Sequence, residues 1–303
     1  MIAIMPAIDV HHFLKLHYSI ILCFQIKFIY MKTIIAPVDF SPASYNASLY
    51  AAKMAQDIKA DLLLLHVMEL PVTVAEFPVT ENVFNAISME EELQKLQVKL
   101  RIETNNQISI HTKNILGSAE YEIKELSKIK RPFAVVMGTH SYSVIDRFFI
   151  GSTTVYSARH LHSPVLVIPA DVTYKPIKKI ALASDLKDIY EMPAPEIEMI
   201  VQQFNATLEI FYAGKSPEDI NQHTVESLLL DHRLQNLNPH FYFIEEEDIM
   251  LGITSLAKKH AIDLLMIVPK KHGPFHKSQS KDFIIYADVP VMAIHKEDIA
   301  EHV

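Results

Sequence analysis

The chain has 303 residues, half of them hydrophobic and 21% charged, which is enough apolar material for two domains of ordinary size. A formal net charge of −8, without a dense stripe of Lys and Arg, excludes a general nucleic-acid binder, which must neutralise phosphates from one face. The single cysteine, Cys23, excludes an intrachain disulfide and a cysteine-built metal site, and it fits a reducing, cytoplasmic setting.

Residues 1–30 differ in character from the rest of the chain. Their apolar run, Tyr18 to Phe24, is too short for a bilayer, which needs about 20 such residues. A basic start and a small-x-small cleavage site are missing, so a signal peptide is not expected. The segment reads as an irregular N-terminal extension or a mis-assigned start, and no membrane partner is expected.

From Met31 short apolar runs alternate with amphipathic stretches. "TIIAPV" (33–38) is continuous and β-branched, as a strand buried on both faces should be. Ser41 is a good N-cap and Pro42 suits the first helical position. Ala47, Tyr50, Ala51, Met54, Ala55 and Ile58 then make one apolar stripe at helical spacing. Strands are predicted at 61–67, 107–113, 133–138 and 164–169, and helices at 88–104, 118–130 and 152–160. Strands alternating with helices imply parallel pairing and right-handed crossovers.

The second half repeats this order. "IKKIALASD" (177–185) echoes "KTIIAPVDF", "ATLEIFYAG" (206–214) echoes "ADLLLLHVM", and "YADVPVMAIHK" (286–296) echoes "HLHSPVLVIPA". A repeat of this length implies duplication of a whole domain. The expected fold class is α/β: two tandem doubly wound domains, 31–170 and 176–298, each a five-stranded parallel sheet in the order 3-2-1-4-5 with helices on both faces. The join is short, so the halves are expected to pack together.

In such sheets ligands bind beyond the carboxyl ends of the strands. Strand one delivers Pro37, Val38 and Asp39 there, strand two His66 and Val67, and strand four Met137 and Gly138. Twelve residues separate Gly138 from Gly151, in a chain with only six glycines. Gly151 is followed by Ser152, Thr153 and Thr154, where a helix is predicted to start. Unpaired N–H groups and the helix dipole make such an end attractive to anions. The hydroxyls of Ser152, Thr153 and Thr154 would add donors. Gly138 would leave room for a sugar or phosphate, and Asp39 is placed to accept from ribose hydroxyls. Each feature also has a plainer reading: glycine after a strand is turn chemistry, "GST" can be an ordinary cap, and Asp39 can be a turn residue.

Residues 31–170 resemble the universal stress protein family, whose ATP-binding members carry G-x-x-G, nine residues, then G-[ST]. Here the pattern stands as Gly138-Thr139-His140-Ser141, then Tyr142 to Ile150, then Gly151-Ser152, with Ser141 in place of the second glycine. "APVDFS", "LLLLHV" and "HSPVLVIP" agree in the flanks. The resemblance extends over almost all of Met31 to Lys296 as a tandem pair. It implies ATP or ADP, with Mg²⁺, in the first copy. Carried over by position, Asp39 faces the ribose, the Val67 main chain meets the adenine, and Gly138 with Gly151, Ser152, Thr153 and Thr154 holds the phosphates; Pro37, Val38, Met137, His140 and Ser141 complete the expected nucleotide-binding set. It also implies that "PVLVIP" and "PVMAIH" pair into an intramolecular pseudo-dimer, that two chains associate further as a homodimer, and that the protein is a stress-response module with a protein partner the sequence does not name. If the family glycine needs a positive φ, Ser141 would be strained there; alternatively its hydroxyl donates to phosphate.

The second copy lacks the motif. Pro269 stands where Gly138 stood and Lys277 where Gly151 stood, although Asp185 survives. An empty structural half is expected there, with a non-nucleotide anion beside Lys270, Lys271 and Lys277 as the alternative. No P-loop and no G-x-G-x-x-G is present. No general base for hydrolysis stands out; His140 and Arg147 lie in the loop, His140 either as a phosphate partner or as a solvated side chain, Arg147 either as a phosphate partner or in a surface salt bridge. His272 and His276 flank Gly273-Pro274, which breaks a helix, so a metal site is not expected. Three readings stay open: a nucleotide-binding regulatory module, an interaction protein of the same fold without nucleotide, and a slow ATPase or adenylating enzyme.

Overall fold

A computed structural model describes residues 33–69, 79–139, 151–184, 192–212, 234–244, 248–269 and 288–295, the side chains of 79–86 excepted. The chain divides into Met1–Lys32 and Thr33–Val303, and the described residues all lie in the second unit. In chain order that unit runs β1 (Thr33–Pro37), α1 (Pro42–Ile58), β2 (Asp61–Met68), α2 (Val79–Glu103), β3 (Ile110–Leu116), α3 (Ala119–Lys130), β4 (Ala134–Gly138), α4 (Ser152–His160) and β5 (Val165–Ile168). The second half continues with β6 (Lys179–Ser184), α5 (Ala194–Phe204), β7 (Thr207–Tyr212), β8 (His240–Phe243), α6 (Ile249–Lys259), β9 (Leu264–Ile267) and β10 (Val291–Ala293).

All ten described strands join one sheet, in the order β3-β2-β1-β4-β5-β10-β9-β6-β7-β8. Within each half every pairing is parallel and the order is 3-2-1-4-5, read from the outer edge inwards. The halves meet where β5 and β10 run antiparallel, with Val167 opposite Val291, Leu166 opposite Met292 and Val165 opposite Ala293. The last strand of each half would otherwise be an open edge, and here each closes the other. The expected pairing of "PVLVIP" with "PVMAIH" is what the sheet contains.

The pleat divides the core in two. Ile34, Ala36, Leu62 and Leu64 face α1, α2 and, in continuity across the junction, α5. Ile35, Leu63, Leu65 and Val135 point the other way, onto α3 and α4, while Ala181 and Phe211 meet α6. Strands buried on both faces need uninterrupted apolar runs, and "IIA" and "LLLL" supply them. Each such side chain removed from water contributes about 1.5–3 kcal/mol.

The helix after Ser41 starts as expected, with Pro42 in its first turn and the Ser41 hydroxyl accepting from Ser44 N. The next helix and strand differ from expectation: α2 begins at Val79 rather than 88, and β3 spans Ile110–Leu116 rather than 107–113. Asn105 and Asn106 are both left-handed, at φ 51° and 54°. The turn through Thr104, Asn105 and Asn106 delays the strand until Ile110 pairs with Leu62. The link from Pro169 to Lys178 is tied to both halves. Asn46 Nδ2 donates to Pro169 O and Val172 O, the Tyr174 hydroxyl donates to Asp57 at 2.6 Å, and Lys175 Nζ lies 2.8 Å from Asp263.

Candidate functional site at the carboxyl edge of the first half

Five strands of the first half end at one edge, and four helices start there, the side chains at the head of α2 lying outside the described residues. What each of the other three does with its free N–H groups distinguishes them. α1 is closed by its own sequence: Ser41 Oγ accepts from Ser44 N, and Asp39 Oδ1 accepts from Ser41 N at 2.9 Å. α3 is closed from a neighbour, since Glu69 at the end of β2 accepts from Ala119 N at 3.0 Å, and Glu120 and Glu122 add negative charge to its first turn. α4 begins at Gly151 with no side-chain cap and no acidic residue in its first turn. Gly151 O accepts from Thr154 N and Val155 N. Among the described residues no partner meets the N–H groups of Ser152 and Thr153. Arg159 and His160 occupy its last turn, where basic side chains suit the dipole. Of the three, α4 is the start left open to an incoming anion.

The residues singled out in the sequence fall into distinct roles. Asp39 is exposed at the end of β1, Val67 is half-buried near the end of β2, and Ser152 is exposed at the head of α4. Pro37 is half-buried, whereas Val38 and Met137 put their side chains into the core and offer the edge only main chain. Thr154 departs from the expected role. Its side chain is buried, and its hydroxyl donates at 3.4 Å to Gly138 O, tying α4 to the end of β4.

Gly138 also departs from its expected reason. A Cβ there would lie 2.4 Å from Ala43 O and 2.7 Å from Ala43 C, so the space is taken by the first turn of α1 and not by a ligand. Gly151 has φ −56° and ψ 142°, a backbone that any residue adopts. The backbone there does not itself call for glycine. His140, Ser141 and Arg147, like Asp185, Lys270, Lys271, His272, His276 and Lys277 of the second half, lie outside the described residues.

Residues 31–169 match the universal stress protein family. Universal stress protein MJ0531 of Methanocaldococcus jannaschii is 25% identical over 138 residues, covering 45% of this chain and 81% of its own length. A crystal structure of a universal stress protein from Archaeoglobus fulgidus DSM 4304 superposes with a TM-score of 0.68 at 14% identity, covering 89% of this chain and 98% of its own. A putative universal stress protein from Pseudomonas aeruginosa UCBPP-PA14 gives 0.56 at 13% identity, over 87% and 93%. At these identities the two structures speak for the fold alone. They extend it over both halves, whereas the universal stress protein match lies in the first.

Two residues of the edge carry more structure than the sequence suggested. His66, buried at the end of β2, holds the main chain of β1: its Nδ1 is 2.7 Å from Val38 O. Phe40 has φ 61° and its ring lies 4.7 Å from the His66 ring. Glu69 is the other. A carboxylate just past a strand end is a reasonable cap for a neighbouring helix, but its target, α3, is 50 residues on and only the parallel pairing of β2 with β3 brings it near. Among the described residues no cluster of three or more His, Cys, Asp or Glu side chains is placed to hold a metal, and no helix is long and apolar enough to cross a membrane.

Proposed function

We propose that the first half is an adenine-nucleotide site and that the protein is a cytoplasmic stress-response module whose association with a partner, or with a second copy, depends on its occupancy by ATP or ADP. One observation carries this reading. At the edge where the helices begin, the start of α1 is sealed by Ser41 with Asp39 and that of α3 by Glu69, while α4 opens on Gly151 and Ser152. Main-chain N–H groups of Ser152 and Thr153, with the exposed Ser152 hydroxyl, suit phosphate oxygens. Asp39 stands at the adjoining strand end, where ribose hydroxyls need an acceptor. The resemblance assigns Val67 main chain to the adenine. Magnesium would offset the charge of the phosphates between Asp39 and Ser152.

The reading without nucleotide draws support from the same geometry. Gly138 and Thr154 already have partners within the protein, Ala43 and the β4 carbonyl, which is what a purely structural edge would contain.

Calorimetric titration of the full chain with Mg-ATP and Mg-ADP, paired with thermal melting, separates the two. A binder is stabilised by RT ln(1 + [L]/Kd), about 2.7 kcal/mol at a hundredfold excess over Kd. Absence of both heat and melting shift at millimolar nucleotide refutes the nucleotide site. Binding that Ser152→Ala weakens, and that Gly151→Lys abolishes, supports it.

A further inference from the structure

We propose that His66 is a positioning residue for this edge: it sets the β1–α1 turn and, through that turn, the direction of the Asp39 carboxylate. A carbonyl oxygen can only accept, so the 2.7 Å contact between His66 Nδ1 and Val38 O requires the hydrogen on Nδ1. Val38 N in turn donates to Leu65 O at 2.8 Å. Both main-chain groups of Val38 are therefore held by consecutive residues of β2, one by backbone and one by an imidazole.

Beyond Val38 the chain turns sharply. Phe40 is in the left-handed region at φ 61°, where an aromatic residue is rarely found without compensation. The compensation is visible. Its ring packs against the His66 ring at 4.7 Å and an angle of 47°, and it lies against the core beneath α1. Asp39 sits between these two residues, fixed before it by Val38 and after it by Phe40. Its Oδ1 accepts from Ser41 N, which completes the turn. One imidazole thus contacts the residue before Asp39 and the residue after it. A side chain chosen only to fill the core would be aliphatic here, as Leu62 to Leu65 are.

The geometry stands without any ligand; only the consequence for affinity rests on the nucleotide reading. The test uses the full chain with His66→Phe, which keeps a ring against Phe40 but loses the donor, and His66→Asn, whose amide nitrogen restores a donor near the Nδ1 position. Imidazole ¹⁵N spectra should show Nδ1 protonated. The amide resonances of Asp39, Phe40 and Ser41 should move in His66→Phe and return towards native in His66→Asn. Mg-ATP affinity should fall about tenfold in the first variant, as it would on loss of one hydrogen bond between Asp39 and the ribose, and recover in the second. A hydrogen on Nε2 alone overturns the proposal, and so do native amide positions in His66→Phe. Equal displacement in both variants also overturns it, because packing alone would then explain the residue. Should the native protein take up no Mg-ATP, the nucleotide reading fails while the resonance measurements still decide the role of His66.

Discussion

Replacing Gly138 with alanine would set a Cβ 2.4 Å from Ala43 O, where such carbon–oxygen contacts normally settle at about 3.3–3.6 Å. The first turn of α1 must therefore retreat by roughly 1 Å, since the obstruction is main chain and cannot rotate away. α1 is not free to do so: Ala43, Ala47, Tyr50, Ala51 and Met54 are all buried against the sheet. Overpacking of this kind costs about 3 kcal/mol. At about 2–4 °C per kcal/mol for a chain of this size, the melting midpoint should fall by roughly 6–12 °C. Gly151→Ala is the control, because φ −56° admits alanine without strain. Its poorer capping and its less flexible unfolded chain act in opposite directions, so stability should change by less than about 1 kcal/mol. Thermal melts monitored by far-ultraviolet circular dichroism read both. An unchanged midpoint in Gly138→Ala would refute the assignment of that glycine to helix packing, and a large loss in Gly151→Ala would contradict the reading that the other sits in a conformation open to any residue.

Asp263 is predicted to tie the link to the second half in a pH-dependent way. Burial alone would raise its pKa, but Lys175 and the main-chain N–H groups of Lys178 and Lys179 together hold it below the usual carboxylate range. A depressed carboxylate stabilises above its unfolded pKa of about 3.9 and loses that contribution as pH falls through the folded value. Asp263→Asn should cost on the order of 2 kcal/mol at neutral pH, with the gap to native closing only below about pH 4 in urea titrations. A gap that closes near neutrality would contradict this. At the other end of the scale, burial pushes the hydroxyls of Tyr50 and Tyr174 well above the ordinary tyrosine range, and the bond to Asp57 raises Tyr174 further. A raised group stabilises below its unfolded pKa, so stability should begin to fall as pH rises past about 10, where the unfolded chain ionises first. Spectrophotometric titration at alkaline pH should find tyrosines that ionise only on unfolding, and Tyr174→Phe should cost about 1 kcal/mol at neutral pH.

Much of this protein was legible as sequence because its signals are local. Uninterrupted apolar runs such as "LLLL" announce strands covered on both faces, and Ser41-Pro42 marks a helix start whichever strand precedes it. The repeat of strand and helix order predicted two five-stranded blocks, and the family resemblance predicted that "PVLVIP" and "PVMAIH" would meet. Gly151 and Ser152 pointed to an open helix start for the same reason: capping is decided by the few residues around the helix end.

What chain order could not reveal are contacts between residues far apart along it. That Gly138 makes room for Ala43, that Thr154 turns inward to the β4 carbonyl, and that Glu69 seals α3 all depend on how neighbouring strands place the helices attached to them. The same holds for His66, whose partner lies 28 residues earlier and becomes a neighbour only when β1 and β2 pair side by side. Periodicity records which face of an element is buried, but a glycine or a histidine at a strand end carries no record of what will come to rest against it. The sheet register supplies that, by bringing main-chain groups to within a hydrogen bond's length of side chains the sequence holds far away.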